Sequence, residues 1–227
     1  MEYSRKKISL LVVGLSLGLL FMGALRYSSS HPNILTSLSK YATFGYILIT
    51  VVFTILLFRE GLPLNRFGFG TRPDLKQLFL AIAVIVVLRL FAFGIEPLLE
   101  EFIGSSRNLE RFSDVKDSTS SLIGLLAMSW TIAAFGEEFT YRIVLMRGIS
   151  FIFNDTRQAQ IAAVLIQAIM FGLIHAYQGP AGIVGSTFSG LVFGTVTMLS
   201  RWSIWPSAIA HGTNNTFGII ALYLGST

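Results

Sequence analysis

Two adjacent carboxylates, Glu137 and Glu138, lie in an otherwise apolar stretch and are followed by Arg142. A charged side chain at membrane depth costs about 2.5 kcal/mol or more, so a stretch that retains three needs a reason. On an α-helix, Glu138 and Arg142 are i,i+4 partners, whereas Glu137 is rotated by about 100°. We therefore predict one structural carboxylate and one general base for a confined water. The alternative, a purely structural Glu–Arg pair, leaves Glu137 unexplained.

Two of the three histidines also lie in apolar stretches. His175 follows Phe171 by four residues, and His211 precedes Asn215 by four, so His211 and Asn215 share a helix face. A lone histidine in a membrane span is often only a hydrogen-bond partner between helices. Two histidines together with two carboxylates and an amide favour a shared site instead. His31 lies in a polar segment, and we expect it at the surface.

The heights of these side chains along their helices are compatible with a shared site. Measured from a turn at residues 154 and 155, Glu137 lies about 25 Å along one helix and His175 about 30 Å along the next. Antiparallel neighbours would bring them within about one turn. His211 lies only about 10 Å from its own turn near Trp202, so the heights agree only if residues 148–156 project beyond the membrane.

Other peptidase chemistries are less compatible with the sequence. We do not predict a rhomboid-type serine peptidase. No histidine is followed by Glu-x-x-His, and the chain contains no cysteine, which excludes a thiolate nucleophile and a Cys-ligated zinc. An aspartyl mechanism is not expected because every aspartate falls in a predicted loop: Asp74, Asp114, Asp117 and Asp155.

The composition indicates that lipid is the solvent for most of the chain. Of its 227 residues, 53% are hydrophobic and only 13% are charged, and the mean hydropathy is +0.68. We predict an all-α, polytopic transmembrane helix bundle without a soluble domain, in which runs of about 18 or more apolar residues cross the bilayer. Seven spans are expected, with six or eight as alternatives: 8–25, 41–58, 77–95, 121–146, 159–176, 181–200 and 204–222.

The distribution of basic residues predicts a cytoplasmic N-terminus. With that orientation eleven Lys and Arg residues lie inside and five outside, among them Arg26, and Arg89 lies within a span. Arg89 is expected to snorkel to the outer surface, with a buried acid as the alternative partner. The first span is interpreted as an uncleaved anchor, and the acidic segment from Glu96 to Ser120 as an outside loop or surface helix. The net charge of +5 does not indicate nucleic acid.

Three motifs resemble those of the CPBP (CaaX protease and bacteriocin-processing, or Abi) family: Glu137-Glu138-x-x-x-Arg142, Phe171-x-x-x-His175 and His211-x-x-x-Asn215. The resemblance covers about residues 121–222, and it divides the chain into N-terminal helices (1–120) and a catalytic core.

The resemblance implies a role for each residue of the motifs. Glu137 would activate water with assistance from His175, while His211 and Asn215 would stabilise the oxyanion. Glu138 and Arg142 would support the architecture. A metal-independent glutamate peptidase without a cofactor is favoured, and a zinc ion on Glu137, His175 and His211 is the alternative.

The resemblance also leaves the activity and the substrate open to alternatives. The leading hypothesis is an intramembrane endopeptidase that cleaves a membrane-bound or lipid-anchored peptide, in contact with membrane lipids and without nucleic acid. A non-catalytic bacteriocin self-immunity or scaffold protein is the second, and a proton-coupled transporter the third. Short loops and termini favour a bacterial cell membrane.

Overall fold

The computed structural model describes residues 2–31, 33–62, 68 and 73–225, and side chains from residue 5 onwards. These residues form nine α-helices and no β-strand. The α-helices are α1 Glu2–Ser30, α2 Ala42–Arg59, α3 Leu75–Leu90, α4 Glu96–Ile103, α5 Thr119–Met128, α6 Met146–Ile152, α7 Arg157–Leu173, α8 Gly179–Leu199 and α9 Trp205–Tyr223. Short 3₁₀ turns occupy Thr36–Tyr41, Glu110–Val115 and Ala176–Gln178.

Five helical runs are long and apolar enough to cross a membrane: Arg5–Ser30, Thr36–Arg59, Leu75–Ile103, Thr119–Ile152 and Ala176–Leu199. The shorter apolar helix α7 and the 19-residue helix α9 occupy two further predicted spans. The predicted all-α, polytopic architecture is confirmed. Helix α7 packs along α8, α3 along α9, and α1 along α2.

Several helices begin at residues that satisfy their first backbone N–H groups. Asp74 accepts a hydrogen bond from the backbone of Gln77 at 2.8 Å, and Thr156 accepts one from Ala159 at 3.1 Å. Each side chain thereby caps donors that the helix leaves unpaired. Gly104, at φ +74°, ends α4 in the left-handed region that glycine adopts without strain.

Helix α1 buries a stripe that continues past the predicted end of the first span. The buried positions recur every three or four residues: Ile8, Val12, Leu15, Leu19, Met22 and Arg26. Such spacing keeps one face of a helix towards the interior. The prediction that Arg26 lies in an outside loop is therefore wrong, because α1 continues to Ser30 and buries the arginine.

The third span is also longer than predicted. A π-helical segment, Phe91–Ile95, joins α3 to α4 without a break, so the apolar run extends to Ile103. The acidic segment thus begins as a helix and not as a loop. Its Glu96 forms an ion pair with Arg107 at 3.3 Å, with both side chains mostly shielded from solvent.

The fourth predicted span is wound as a π-helix over Ser129–Glu137 and Phe139–Leu145, between α5 and α6. In a π-helix the backbone bonds run from i to i+5, and such segments are frequent at functional sites. Side chains bind the carbonyl of Gly136 in this region: the Tyr46 hydroxyl donates to it at 3.1 Å and the Thr140 hydroxyl at 2.7 Å. Glu137 and Glu138 lie at the junction of the two π segments.

Candidate active site

A cavity of about 510 Å³ opens between the helices, and all four residues predicted to be catalytic line it. Glu137 comes from the π segment, His175 from the turn after α7, and His211 and Asn215 from α9. Side chains from three separate parts of the chain thus face one space. Glu137 and His211 are buried, whereas His175 and Asn215 are partly exposed towards the cavity.

Glu137 faces a cation that the sequence did not reveal. The Arg26 guanidinium approaches the Glu137 carboxylate at 3.6 Å (Nη1 to Oε1), and both side chains are buried. The same guanidinium lies 5.5 Å from the centre of the Tyr46 ring. A buried carboxylate remains ionised only when a nearby positive charge offsets its lost hydration. Arg26 supplies a positive charge of this kind next to Glu137.

His175 is oriented by the backbone of its own helix end. Its Nδ1 lies 2.7 Å from the carbonyl oxygen of Phe171. A carbonyl oxygen only accepts, so Nδ1 carries the proton of this hydrogen bond and Nε2 of the neutral ring keeps its lone pair. The spacing Phe171-x-x-x-His175 places this acceptor one helical turn before the imidazole.

Glu138 lies between two positively charged or chargeable groups. Its Oε1 is 2.8 Å from His211 Nδ1, and its Oε2 is 3.1 Å from Arg142 Nε, with Glu138 and Arg142 fully buried. The predicted Glu138–Arg142 pair is present. The contact to His211 was not predicted, because nothing in the sequence relates the two helices. Glu138 therefore fixes His211 as well as neutralising Arg142.

Aromatic rings hold the histidines in place. The Phe171 ring centre lies 4.7 Å from that of His175 and 6.1 Å from that of His211, and Phe193 stacks on His211 at 4.9 Å. The Arg142 guanidinium lies 4.5 Å from the centre of the Phe171 ring. Phe171 thus packs between the two imidazoles.

The two neighbouring asparagines on α9, Asn214 and Asn215, make different contacts. Asn215 lines the cavity, and the neighbouring Asn214 accepts a hydrogen bond from Arg89 Nη2 through its side-chain oxygen. Arg89 was expected to snorkel to the surface or to bind a buried acid. Instead it lines the cavity and binds an amide. This leaves the side chain of Asn215 facing the site.

Two alternative chemistries can be compared with the geometry. In the described part of the chain, no three His, Asp or Glu side chains form a group able to hold a metal ion. The second alternative is a rhomboid-type serine peptidase, whose Gly-x-Ser-x-Gly pattern occurs once in the sequence, at residues 14–18. Its Ser16 hydroxyl donates to the Val12 carbonyl at 2.8 Å and does not line the cavity.

The sequence did not indicate that two arginines line the cavity, although helical periodicity would have indicated the first of them, Arg26. Arg26 continues the three- and four-residue spacing of the buried positions on α1, four residues after Met22. Arg89 follows the buried Leu88 on a helix that packs along α9. A polar residue that extends a buried stripe inside a membrane is a candidate for a site.

The fold and the cavity together define a polytopic helical membrane protein with a carboxylate, two imidazoles and an amide around one intramembrane cavity. Residues 119–217 match the family described as "Type II CAAX prenyl endopeptidase Rce1-like". The resemblance to the CaaX protease family that the three motifs indicated is therefore confirmed for this segment. The match supports an intramembrane CaaX-type protease. No curated protein and no solved structure matches the chain.

Proposed function

We propose that this protein is an intramembrane endopeptidase that hydrolyses a peptide bond in a prenylated or otherwise lipid-anchored peptide. The observation that carries the proposal is the single cavity lined by Glu137, His175, His211 and Asn215. The family description supports a prenylated substrate, since the matched family is one of prenyl endopeptidases. The lipid anchor would hold the substrate in the bilayer beside the cavity.

Glu137 acts as the general base in this mechanism. A water molecule between Glu137 and His175 gives its proton to the carboxylate as its oxygen attacks the scissile carbonyl. The Arg26 guanidinium, 3.6 Å from the carboxylate, is the counter-charge available to this base. The lone pair on His175 Nε2 accepts a hydrogen bond from the same water and orients it. The proton on Glu137 then passes to the leaving amine.

His211 and Asn215 stabilise the negative oxygen of the tetrahedral intermediate. The Nδ1 of His211 lies 2.8 Å from Glu138, which accepts there, so His211 donates to the oxyanion from Nε2 when both ring nitrogens carry a proton. Asn215 donates through its side-chain NH₂ group. One preorganised donor of this kind is worth about 3 kcal/mol in other hydrolases.

Cleavage of a lipid-anchored peptide by purified protein in vesicles tests the proposal. Glu137→Gln removes the base with little change in shape, and we expect kcat to fall by about 10² to 10⁴-fold. His211→Ala should lower kcat by about 10²-fold. Glu101→Gln is the matched control, since Glu101 is exposed on α4 and does not line the cavity. Undiminished cleavage in Glu137→Gln would rule out this mechanism.

A further inference from the structure

The cavity carries more positive than negative charge. Among the described residues, four arginines line it but only one carboxylate does, Glu137. Arg26 is paired with Glu137, and Arg107 is paired at 3.3 Å with Glu96, which does not line the cavity. The remaining two are Arg89 and Arg111. A positively charged cavity with low-dielectric walls attracts an anionic group of a ligand.

Arg89 lies inside a membrane span and has a neutral partner. Its Nη2 donates to the Asn214 side-chain oxygen, and its guanidinium lies 5.7 Å from the centre of the Phe217 ring. Within the described residues its buried Nε has no hydrogen-bond acceptor. Glu96 acts on it electrostatically, but that carboxylate binds Arg107 directly. An arginine at this depth without a carboxylate ligand of its own is costly unless an anion reaches it.

An anion bound by Arg89 would lie close to the place proposed for the scissile carbonyl. Its partner Asn214 adjoins Asn215 and lies three residues after His211, which is about 4.5 Å along the axis of α9. An extended peptide advances about 3.3 Å per residue. An anion bound by Arg89 is therefore only a few residues of substrate away from a carbonyl held by His211 and Asn215.

Arg111 offers a second cation at the exposed edge of the same cavity. It lies in the segment after α4, with its guanidinium 5.3 Å from the centre of the Tyr177 ring. A carboxylate has two oxygens in one plane and matches the planar donors of a guanidinium. The end of a peptide chain carries such a group next to its last peptide bonds.

We propose that Arg89 binds the C-terminal α-carboxylate of the peptide substrate, with Arg111 as a second cation at the cavity edge. This inference rests on the proposed function, and it adds a specificity residue outside the segment that matches the family. A substrate that ends within a few residues of the scissile bond then places its terminal charge against Arg89. Internal peptide bonds far from a chain end are disfavoured.

One lipid-anchored peptide made with either a free-acid or an amidated C-terminus tests this proposal. Wild-type protein should cleave the free acid about tenfold to a hundredfold more efficiently in kcat/KM, the range expected for a charged hydrogen bond. Arg89→Gln should bring the two values within about threefold of each other, while Arg89→Lys keeps the free acid the better substrate. Arg107→Gln, whose arginine already has a carboxylate partner, is the matched control and should retain the preference.

The outcomes separate this inference from the proposed function. Equal cleavage of acid and amide by the wild type overturns the inference and leaves the peptidase intact, whereas cleavage of neither peptide refutes the peptidase itself. If Arg89→Gln lowers both values equally, Arg89 acts through Asn214 or the fold and the proposal is wrong. If Arg89→Gln keeps the preference for the free acid but its cleavage rate no longer depends on anionic lipid in the vesicles, Arg89 binds a lipid phosphate and the proposal is again wrong.

Discussion

Arg26 and Glu137 form an ion pair in which the proposed mechanism gives the arginine a supporting role and the carboxylate the catalytic one. Arg26 comes from α1, about 110 residues before Glu137 in the chain, and its guanidinium reaches the carboxylate at 3.6 Å. Both side chains are buried, so each charge has the other as its partner in place of water. The proposed base is therefore in contact with a helix that precedes the segment matching the family, and we expect its activity to depend on that helix.

Replacement of Arg26 tests this dependence. Arg26→Gln should lower kcat by about tenfold or more, because Glu137 then lacks its counter-charge, and Arg26→Lys should recover most of the rate because a cation remains. Rates on one peptide in vesicles, with thermal unfolding of each variant, provide the measurement. If the lysine variant is as slow as the glutamine variant while both are folded, the charge is not what Arg26 contributes.

The structural role predicted for Glu138 can be tested by measuring the free energy of unfolding. Arg142 is fully buried, and Glu138 is the carboxylate in contact with it within the described residues. Glu138→Gln leaves that guanidinium without a counter-charge, and we expect a loss of about 3 to 5 kcal/mol in the free energy of unfolding.

Two comparisons strengthen the Glu138 experiment. Glu60→Gln alters a more exposed ion pair, with Lys7 at 3.2 Å, and should cost less than about 1 kcal/mol. The double variant Glu138→Gln with Arg142→Met removes both charges and should be more stable than Glu138→Gln alone. Equal stabilities for the Glu60 and Glu138 single variants would contradict a buried structural pair.

At the level of the elements, apolar runs were sufficient to predict where helices occur. Length and hydropathy determine which segments cross a bilayer, and these properties are local. The contact between His211 and Glu138 was not predictable in this way, since it depends on which helices become neighbours. The π segments were also missed. One carbonyl in them, that of Gly136, accepts a hydrogen bond from Tyr46 of a different helix, and such a contact is not visible in the local sequence.

The register of α9 depends on close packing at Gly212, the residue after His211. A Cβ added to Gly212 would lie 2.6 Å from ring atoms of Trp130 on the neighbouring π segment. Because Gly212 has no side chain, α9 can approach the helix that carries Glu137. Small residues commonly allow such approaches between membrane helices.

Gly212→Ala is therefore expected to displace His211. Overpacking of this kind costs about 1 to 3 kcal/mol, and a shift of about 1 Å at a catalytic group lowers rates by up to about 10²-fold. Unfolding of the variant and its cleavage rate are the measurements. Gly124→Ala on α5 is the matched control, because nothing lies within 4 Å of its added Cβ. Wild-type activity in Gly212→Ala would show that this contact does not set the position of His211.

For the molecule as a whole, apolar side chains cover much of the outer surface. Phe44, Val51, Phe79 and Phe93 are all at least half exposed, and each lies on a helix of a candidate span. In water such a surface would aggregate, whereas in a bilayer it contacts lipid. If the candidate spans cross the bilayer in alternate directions, the end of α1 and the segment after α4 lie on one side of the membrane. The start of α7 then lies on the other.

The absence of cysteine from the chain permits a direct test of orientation with single introduced thiols. Ser30 and Ser105 are exposed on the side where Arg107 and Arg111 edge the cavity, and Gln158 is exposed near the start of α7. With a cytoplasmic N-terminus, as the basic residues predict, a membrane-impermeant maleimide added to intact cells should label Ser30→Cys and Ser105→Cys. Gln158→Cys should react only after permeabilisation. The unmodified, cysteine-free protein gives the background.

The opposite labelling pattern would reverse the orientation. It would place the edge of the cavity, and thus the entry of the substrate's charged end, on the cytoplasmic side.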